Sequence, residues 1–244
     1  MTRLPTPRWT PHGSADLGAS AALFPLVGVL VGGAAAGIVW VLRSLLQFPA
    51  TVGAIGAVAT SILLTGFLHE DGLADVCDGV GGATAEKRRE IMRDSRIGAF
   101  GATGLAVVVG SELSLLGSMS VERAILALIS AHVLSRFASV FLIRIGRQAS
   151  GDTSLAEPYL EGVDNRVLTV SALTASSVLI LSSTPLWGLG MAVASIVVVV
   201  GSNGLFRRMF GGITGDCLGA VIKVVQIMTL CALAHPNFPT PFWR

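Results

Sequence analysis

Long apolar runs separated by short polar breaks dominate the chain from residue 21 onward. A helix that crosses a bilayer needs about 20 largely apolar residues. Seven stretches meet that length, at 21–42, 50–68, 98–117, 123–143, 167–184, 187–206 and 217–234. Periodicity alone does not separate a buried strand from a helix in such runs, but their length favours helices. In lipid, a helix also satisfies its own backbone groups. Between the fifth and sixth runs stand only Ser182, Ser183, Thr184 and Pro185, a turn signal. Gly28, Gly32, Gly33 and Gly37 give the first run a small face on which another helix can approach closely. The pattern predicts an all-α, polytopic integral membrane bundle of about seven transmembrane helices, a single domain over 1–244.

Composition agrees. Apolar residues make up 52% of the chain before its 29 glycines are counted, and charged residues only 13%, about half the usual share. With a mean hydropathy of +0.73, a soluble enzyme, a disordered chain and a nucleic-acid-coating protein are excluded. Cys77, Cys217 and Cys231 are odd in number and lack CxxC spacing, so they read as small apolar filler. The first twenty residues lack an apolar core, and no cleavable signal peptide is expected.

The net charge of +2 says little; its placement says more. With a cytoplasmic N-terminus, that side receives Arg3, Arg8, Lys87, Arg88, Arg89, Arg93, Arg96, Arg144, Arg147, Arg166, Arg207 and Arg208. The opposite side receives Arg43, Arg123 and Arg244, and Arg136 and Lys223 fall inside runs. The asymmetry supports the seven-span count and predicts a multi-pass protein with its N-terminus in the cytoplasm.

The stretch after the second run reads His69-Glu70-Asp71-Gly72-Leu73-Ala74-Asp75-Val76-Cys77-Asp78-Gly79, a loop on the cytoplasmic side. Asp71, Asp75 and Asp78 are spaced i, i+4, i+7, so a helix would stack their carboxylates on one face. Like charges at the lip of a low-dielectric bundle repel strongly, and a divalent cation relieves that repulsion. Oxygen ligands without His or Cys favour Mg²⁺, Mn²⁺ or Ca²⁺ over zinc. A solvated acidic loop is the plainer alternative; the abutment of four acids on a span favours the metal.

The same loop then turns basic through Lys87, Arg88, Arg89, Arg93, Asp94, Ser95 and Arg96. Guanidinium groups grip phosphate oxygens bidentately, which points Arg93 and Arg96 toward a phosphorylated, diphosphate-type ligand. Residues 87–89 read instead as a topology signal at anionic headgroups. On the same face fall Ser202, Asn203, Arg207 and Arg208, then Gly211-Gly212-Ile213-Thr214-Gly215-Asp216. Those glycines permit an anion-binding nest. Asp216 fits a helix N-cap, a metal ligand or a base equally well. His132 reads as a packing residue, His12 and His235 as incidental, and His69 as packing or a proton carrier.

In this order the motifs resemble the cobalamin synthase family of adenosylcobinamide-GDP ribazoletransferases. The matching stretches are Thr2-Arg3-Leu4-Pro5 with Pro7, Phe24-Pro25-Leu26-Val27-Gly28, and Glu70-Asp71-Gly72-Leu73-Ala74-Asp75 with Asp78-Gly79. They continue with Arg93-Asp94-Ser95-Arg96-Ile97-Gly98-Ala99-Phe100-Gly101 and Gly211-Gly212-Ile213-Thr214-Gly215-Asp216-Cys217-Leu218-Gly219-Ala220. After the fourth run the chain departs from a Tyr-Ala-Arg-like family motif and reads Arg144-Ile145-Gly146-Arg147-Gln148-Ala149-Ser150-Gly151.

The resemblance implies a phosphoryl-type transfer that joins adenosylcobinamide-GDP to α-ribazole or its 5′-phosphate and releases GMP. It implies Mg²⁺ as cofactor, with Asp71 and Asp75 as ligands and Asp78 as a further ligand or the base. Arg93 and Arg96 would hold phosphate oxygens, Asp216 and Asn203 would close the site, and Asp94 and Thr214 are further substrate-binding positions. The membrane it implies is the bacterial inner (cytoplasmic) one. The expected partners are those two substrates and the lipid bilayer, with no nucleic acid; the number of chains that assemble, a homo-oligomer included, stays open.

Two rivals remain. A CDP-alcohol phosphatidyltransferase also sets spaced aspartates at a helix end, but its Ala-Arg signature is replaced here by Leu73-Ala74-Asp75. An ion-coupled transporter calls for mid-span acids and an internal repeat, whereas here the acids are read as hugging one face and no half-to-half repeat is found.

Overall fold

The computed structural model describes residues 14–149, 159 and 162–239. The Thr2-to-Pro7 motif, Arg3, Arg8, His12, Ser150, Gly151 and Arg244 lie outside them. Helix α1 (Ser14–Ser20) leads through a 3₁₀ turn (Ala21–Leu23) into α2 (Phe24–Trp40), which ends in a π-turn (Val41–Leu45). Then follow α3 (Ala50–Thr65), α4 (Leu68–Gly79), α5 (Ala85–Met92), α6 (Ala99–Ser118), α7 (Val121–Ile145), α8 (Asn165–Ser182), α9 (Pro185–Phe210) and α10 (Gly215–Ala234). Six stretches are long and apolar enough to cross a membrane, and the bent pair α3–α4 makes a seventh when counted as one span. The protein is a multi-pass, all-α membrane bundle; among the described residues the only β-pairing is an isolated parallel bridge between Gln148 and Ile213.

Helix α7 is the axis, with α2, α8, α9 and α10 packed around it. Gly28 and Gly32 bring α2 against its backbone: a Cβ at Gly28 would stand 2.5 Å from the His132 carbonyl oxygen. Gly33 and Gly37 meet nothing within 4 Å, so only half of the predicted small face is used. Helices α6, α8 and α9 turn most of their surface outward and expose Val107, Leu173, Leu186 and Val197, as lipid-facing helices do. Between α8 and α9 the chain breaks where the turn signal placed it, with Thr184 as N-cap and Pro185 in the first turn.

The second run ends differently from the expectation. Gly66 (φ 64°) and Phe67 (φ 64°) are both left-handed, which stops α3 and swings α4 away by 88°. Glycine adopts this conformation freely; for Phe67 it costs about 1–2 kcal/mol. The stretch expected as a loop is therefore a helix, the second arm of a bent pair. Helix α4 starts inside the bundle, where Glu70 meets Glu112 and Lys223 through the latter's ammonium. It ends where α6 begins, with Asp78 against Gly98 and Gly101. The basic residues 87–96, Arg144, Arg147, Arg166, Arg207 and Arg208 gather at that same end, where α4, α7 and α9 finish and α6, α8 and α10 begin.

Candidate active site

The i, i+4, i+7 spacing places Asp71, Asp75 and Asp78 along one side of α4, as the sequence predicted for a helix. Asp71 is exposed; Asp75 and Asp78 are half-buried. Helix α10 reaches this side at Gly72, where a Cβ would lie 2.9 Å from the Asp216 backbone. That close approach, open only to glycine, sets Asp216 beside the residues that flank Gly72 in sequence and helical turn, Asp71 and Asp75. Asp216 is not the N-cap: Thr214 is, its hydroxyl accepting from the Cys217 N–H and donating to the Asp216 carboxylate at 3.4 Å. Asp216 sits in the first turn, where the helix dipole favours a negative charge. Asp78 is bound on both oxygens, by the N–H of Gly98 at 2.7 Å and of Gly101 at 2.8 Å. It caps α6 from a neighbouring helix.

A cleft of about 370 Å³ opens beside α4 and is lined by Asp71, Asp75, Arg93, Asp94, Ser95 and Arg96, among others. It brings together the acidic face and the basic run that the sequence read as two halves of one site. Arg96 is already engaged there: its guanidinium donates to both oxygens of Asp94, at 2.6–3.2 Å. Those bonds, with the Arg96 N–H, hold the Asp94 carboxyl down at about 2. The expected headgroup role for residues 87–89 is corrected for two of the three. Arg88 donates to the Met209 carbonyl at 3.3 Å and Arg89 to that of Phe210, so both cap the C-terminus of α9. Lys87 alone faces outward, paired with Glu90.

Of the other expected site residues, Asp78, Asn203, Thr214 and Asp216 do not line the cleft; the Asn203 Oδ1 is buried on α9 without a hydrogen-bond partner. The glycine turn is partly engaged, and of its glycines Gly211 alone is left-handed (φ 78°). The Ile213 N–H donates to the Arg147 carbonyl at 2.8 Å, and the Ala149 N–H to that of Ile213 at 3.1 Å. The segment that departs from the family motif thus braces this turn, and Arg144 holds the Asn165 side chain at the head of α8.

Among the described residues no three His, Cys, Asp or Glu side chains converge closely enough to hold an ion by themselves. The donor set suits Mg²⁺ in another way: all oxygen, with one or two carboxylates facing a cleft roomy enough for phosphate oxygens to complete the shell.

The sequence reading missed the floor of the site. Lys223 of α10 is buried and donates to Glu70 at 3.0 Å and to Glu112 of α6 at 2.6 Å. Arg136 of α7, fully buried, lies 2.6 Å from His132 Nδ1 and 3.5 Å from His69 Nε2. His132 also meets Ser61 and Gln226, each at 3.0 Å. Glu112, buried within α6, corrects the expectation that the acids hug one face; ionisable residues inside spans are a functional signal by default, and Glu112, Arg136 and Lys223 carried it.

A model of the family described as cobalamin-5-phosphate synthase matches residues 1–234. Among curated proteins, the chain is similar to an adenosylcobinamide-GDP ribazoletransferase of Ralstonia nicotianae, at 38% identity over 96% of this chain and 91% of the relative. Proteins of the same name from Polaromonas sp. (37%, 93% and 89%) and Shewanella baltica (38%, 93% and 88%) are similar to it as well. No solved structure shows significant similarity to the chain.

Proposed function

The chain belongs to the cobalamin-5-phosphate synthase family, and from that premise we propose that it joins adenosylcobinamide-GDP to α-ribazole or its 5′-phosphate, releasing GMP. The observation that carries the reading is the shared cleft of Asp71 and Asp75 with residues 93–96. A diphosphate needs both a cationic clamp and charge neutralisation at its bridging and departing oxygens. Here guanidinium groups and carboxylates line the same opening.

In the proposed reaction a ribose hydroxyl of the acceptor forms a bond to the phosphorus on the cobinamide arm. The bond from that phosphorus to the GMP phosphate breaks, and GMP leaves with the electron pair. Arg93 orients phosphate oxygens, and Asp71 and Asp75 hold Mg²⁺. The ion, when bound, neutralises charge on the diphosphate and the departing GMP. Asp216, beside Gly72, takes the proton of the attacking hydroxyl. Asp78 keeps the α6 N-terminus, with Gly98 and Gly101, against the end of α4. The cleft opens on the cytoplasmic side, which carries the basic excess; cysteines at 87–96 and 207–212 would be labelled only from that side.

The test is incubation of purified protein with adenosylcobinamide-GDP and α-ribazole, with GMP and the completed corrinoid as readouts. A parallel assay with a CDP-alcohol donor separates the phosphatidyltransferase reading, which predicts turnover only there.

A further inference from the structure

We propose that Lys223 is a positioning residue: through Glu70 and Glu112 it fixes the first turn of α4, and with it the direction in which Asp71 and Asp75 face. The proposal rests on α4 being the reaction helix. The left-handed pair Gly66 and Phe67 breaks the helical continuity between α3 and α4, so tertiary contacts must help to aim a helix of only 12 residues.

The Lys223 ammonium does so at one point. It binds Glu70 of α4 and Glu112 of α6, and itself belongs to α10, so one atom ties three helices. Glu70, Glu112 and Lys223 are 7%, 5% and 3% exposed. Successive residues on a helix point about 100° apart. With Glu70 drawn inward by Lys223, its neighbour Asp71 must face outward, and Asp75, one turn on, faces with it. Glu70 lines both the inner cavity that contains Lys223 and the cleft that contains Asp71 and Asp75. Arg136 adds a second hold on the same turn, reaching His69 from α7. Two cations and two carboxylates balance in this interior, where apolar residues of equal size would join the helices at least as firmly. What a three-way ion clamp adds is direction.

The test reads helix placement and turnover separately. Cys77 of α4 lies beside Gly104 of α6: a Cβ at 104 would be 3.4 Å from the Cys77 Cβ, close to disulfide geometry. In a Gly104→Cys background, oxidation should link positions 77 and 104 rapidly. Lys223→Met alone would leave two buried carboxylates face to face, so the deciding variant is E112M/K223M, which removes one carboxylate with the ammonium and leaves Glu70 and the buried Arg136 in balance. The expected result is a folded protein that cross-links about tenfold more slowly. Its GMP release should fall about 100-fold, as for a misplacement of about 1 Å, with KM for both substrates unchanged. Lys223→Arg, which keeps the charge, should restore both rates to within about twofold of wild type. Wild-type cross-linking and turnover in the double variant overturn the proposal. Should the double variant not fold, Glu112→Gln decides, and an unchanged cross-linking rate there overturns it too. Because cross-linking needs no substrate, an inert wild-type protein would count against the proposed reaction and not against the clamp.

Discussion

The two faces of α4 carry the same chemical group and use it in opposite ways. On the inner face Glu70 is buried and bound by Lys223. On the outer face Asp71 and Asp75 line a cleft, with Asp216 packed alongside. Pairing cancels charge and fixes position; clustering leaves a local negative potential and donors for a ligand. One short helix therefore has an anchoring face and a working face: loss of the working carboxylates leaves the anchor in place, whereas loss of the anchor misdirects them.

The largest effect is expected on the working face. Asp71→Asn or Asp75→Asn should lower GMP release by about 10³-fold, the upper range for loss of one electrostatic stabiliser, while membrane insertion and thermal stability stay as in wild type. Wild-type rates in both would remove these carboxylates from the reaction. Next comes the joint between α4 and α10. Gly72→Ala drives a methyl into the Asp216 backbone and should destabilise the protein by about 1–3 kcal/mol, as overpacking does, with turnover falling as Asp216 is displaced. Thermal melting and GMP release, measured together, check it. A smaller loss is expected for Asp78→Ala, which removes the cross-helix cap on α6. Its stability cost should be about 1 kcal/mol, seen as a lowered melting temperature.

The smallest effect concerns Asp94. Its carboxyl is held at about 2 by Arg96. A lowered pKa means the pair is intact above that value and is lost only as pH falls through it. Between about pH 5 and 9 the pair does not titrate. Asp94→Asn, which releases Arg96 toward the cleft, should leave the shape of the pH–rate profile over that range unchanged.

How much of this was legible beforehand depended on whether a signal was local. Ser183-Thr184-Pro185 marked the break between α8 and α9 because capping and proline chemistry are local. The i, i+4, i+7 acids could be placed on one helical face for the same reason. The corner at Gly66 and Phe67 had no such mark, since the apolar run continues through Leu68 and a left-handed Phe has no sequence signature. Lys223 and Glu70 are 153 positions apart, and Arg89 and Phe210 are 121 apart. Their pairing is a property of the packed bundle, and so is the displacement of Asn203 from the site. The charge asymmetry is a middle case: the structure gathers the basic residues at one end, as the run count required.

The central claim is that carboxylates on α4 act with a divalent ion on a diphosphate. The most direct measurement is GMP release from adenosylcobinamide-GDP and α-ribazole, by purified protein treated with chelator and then titrated with Mg²⁺. The account predicts no release in excess chelator and full recovery as Mg²⁺ is restored. Undiminished release in excess chelator would contradict it.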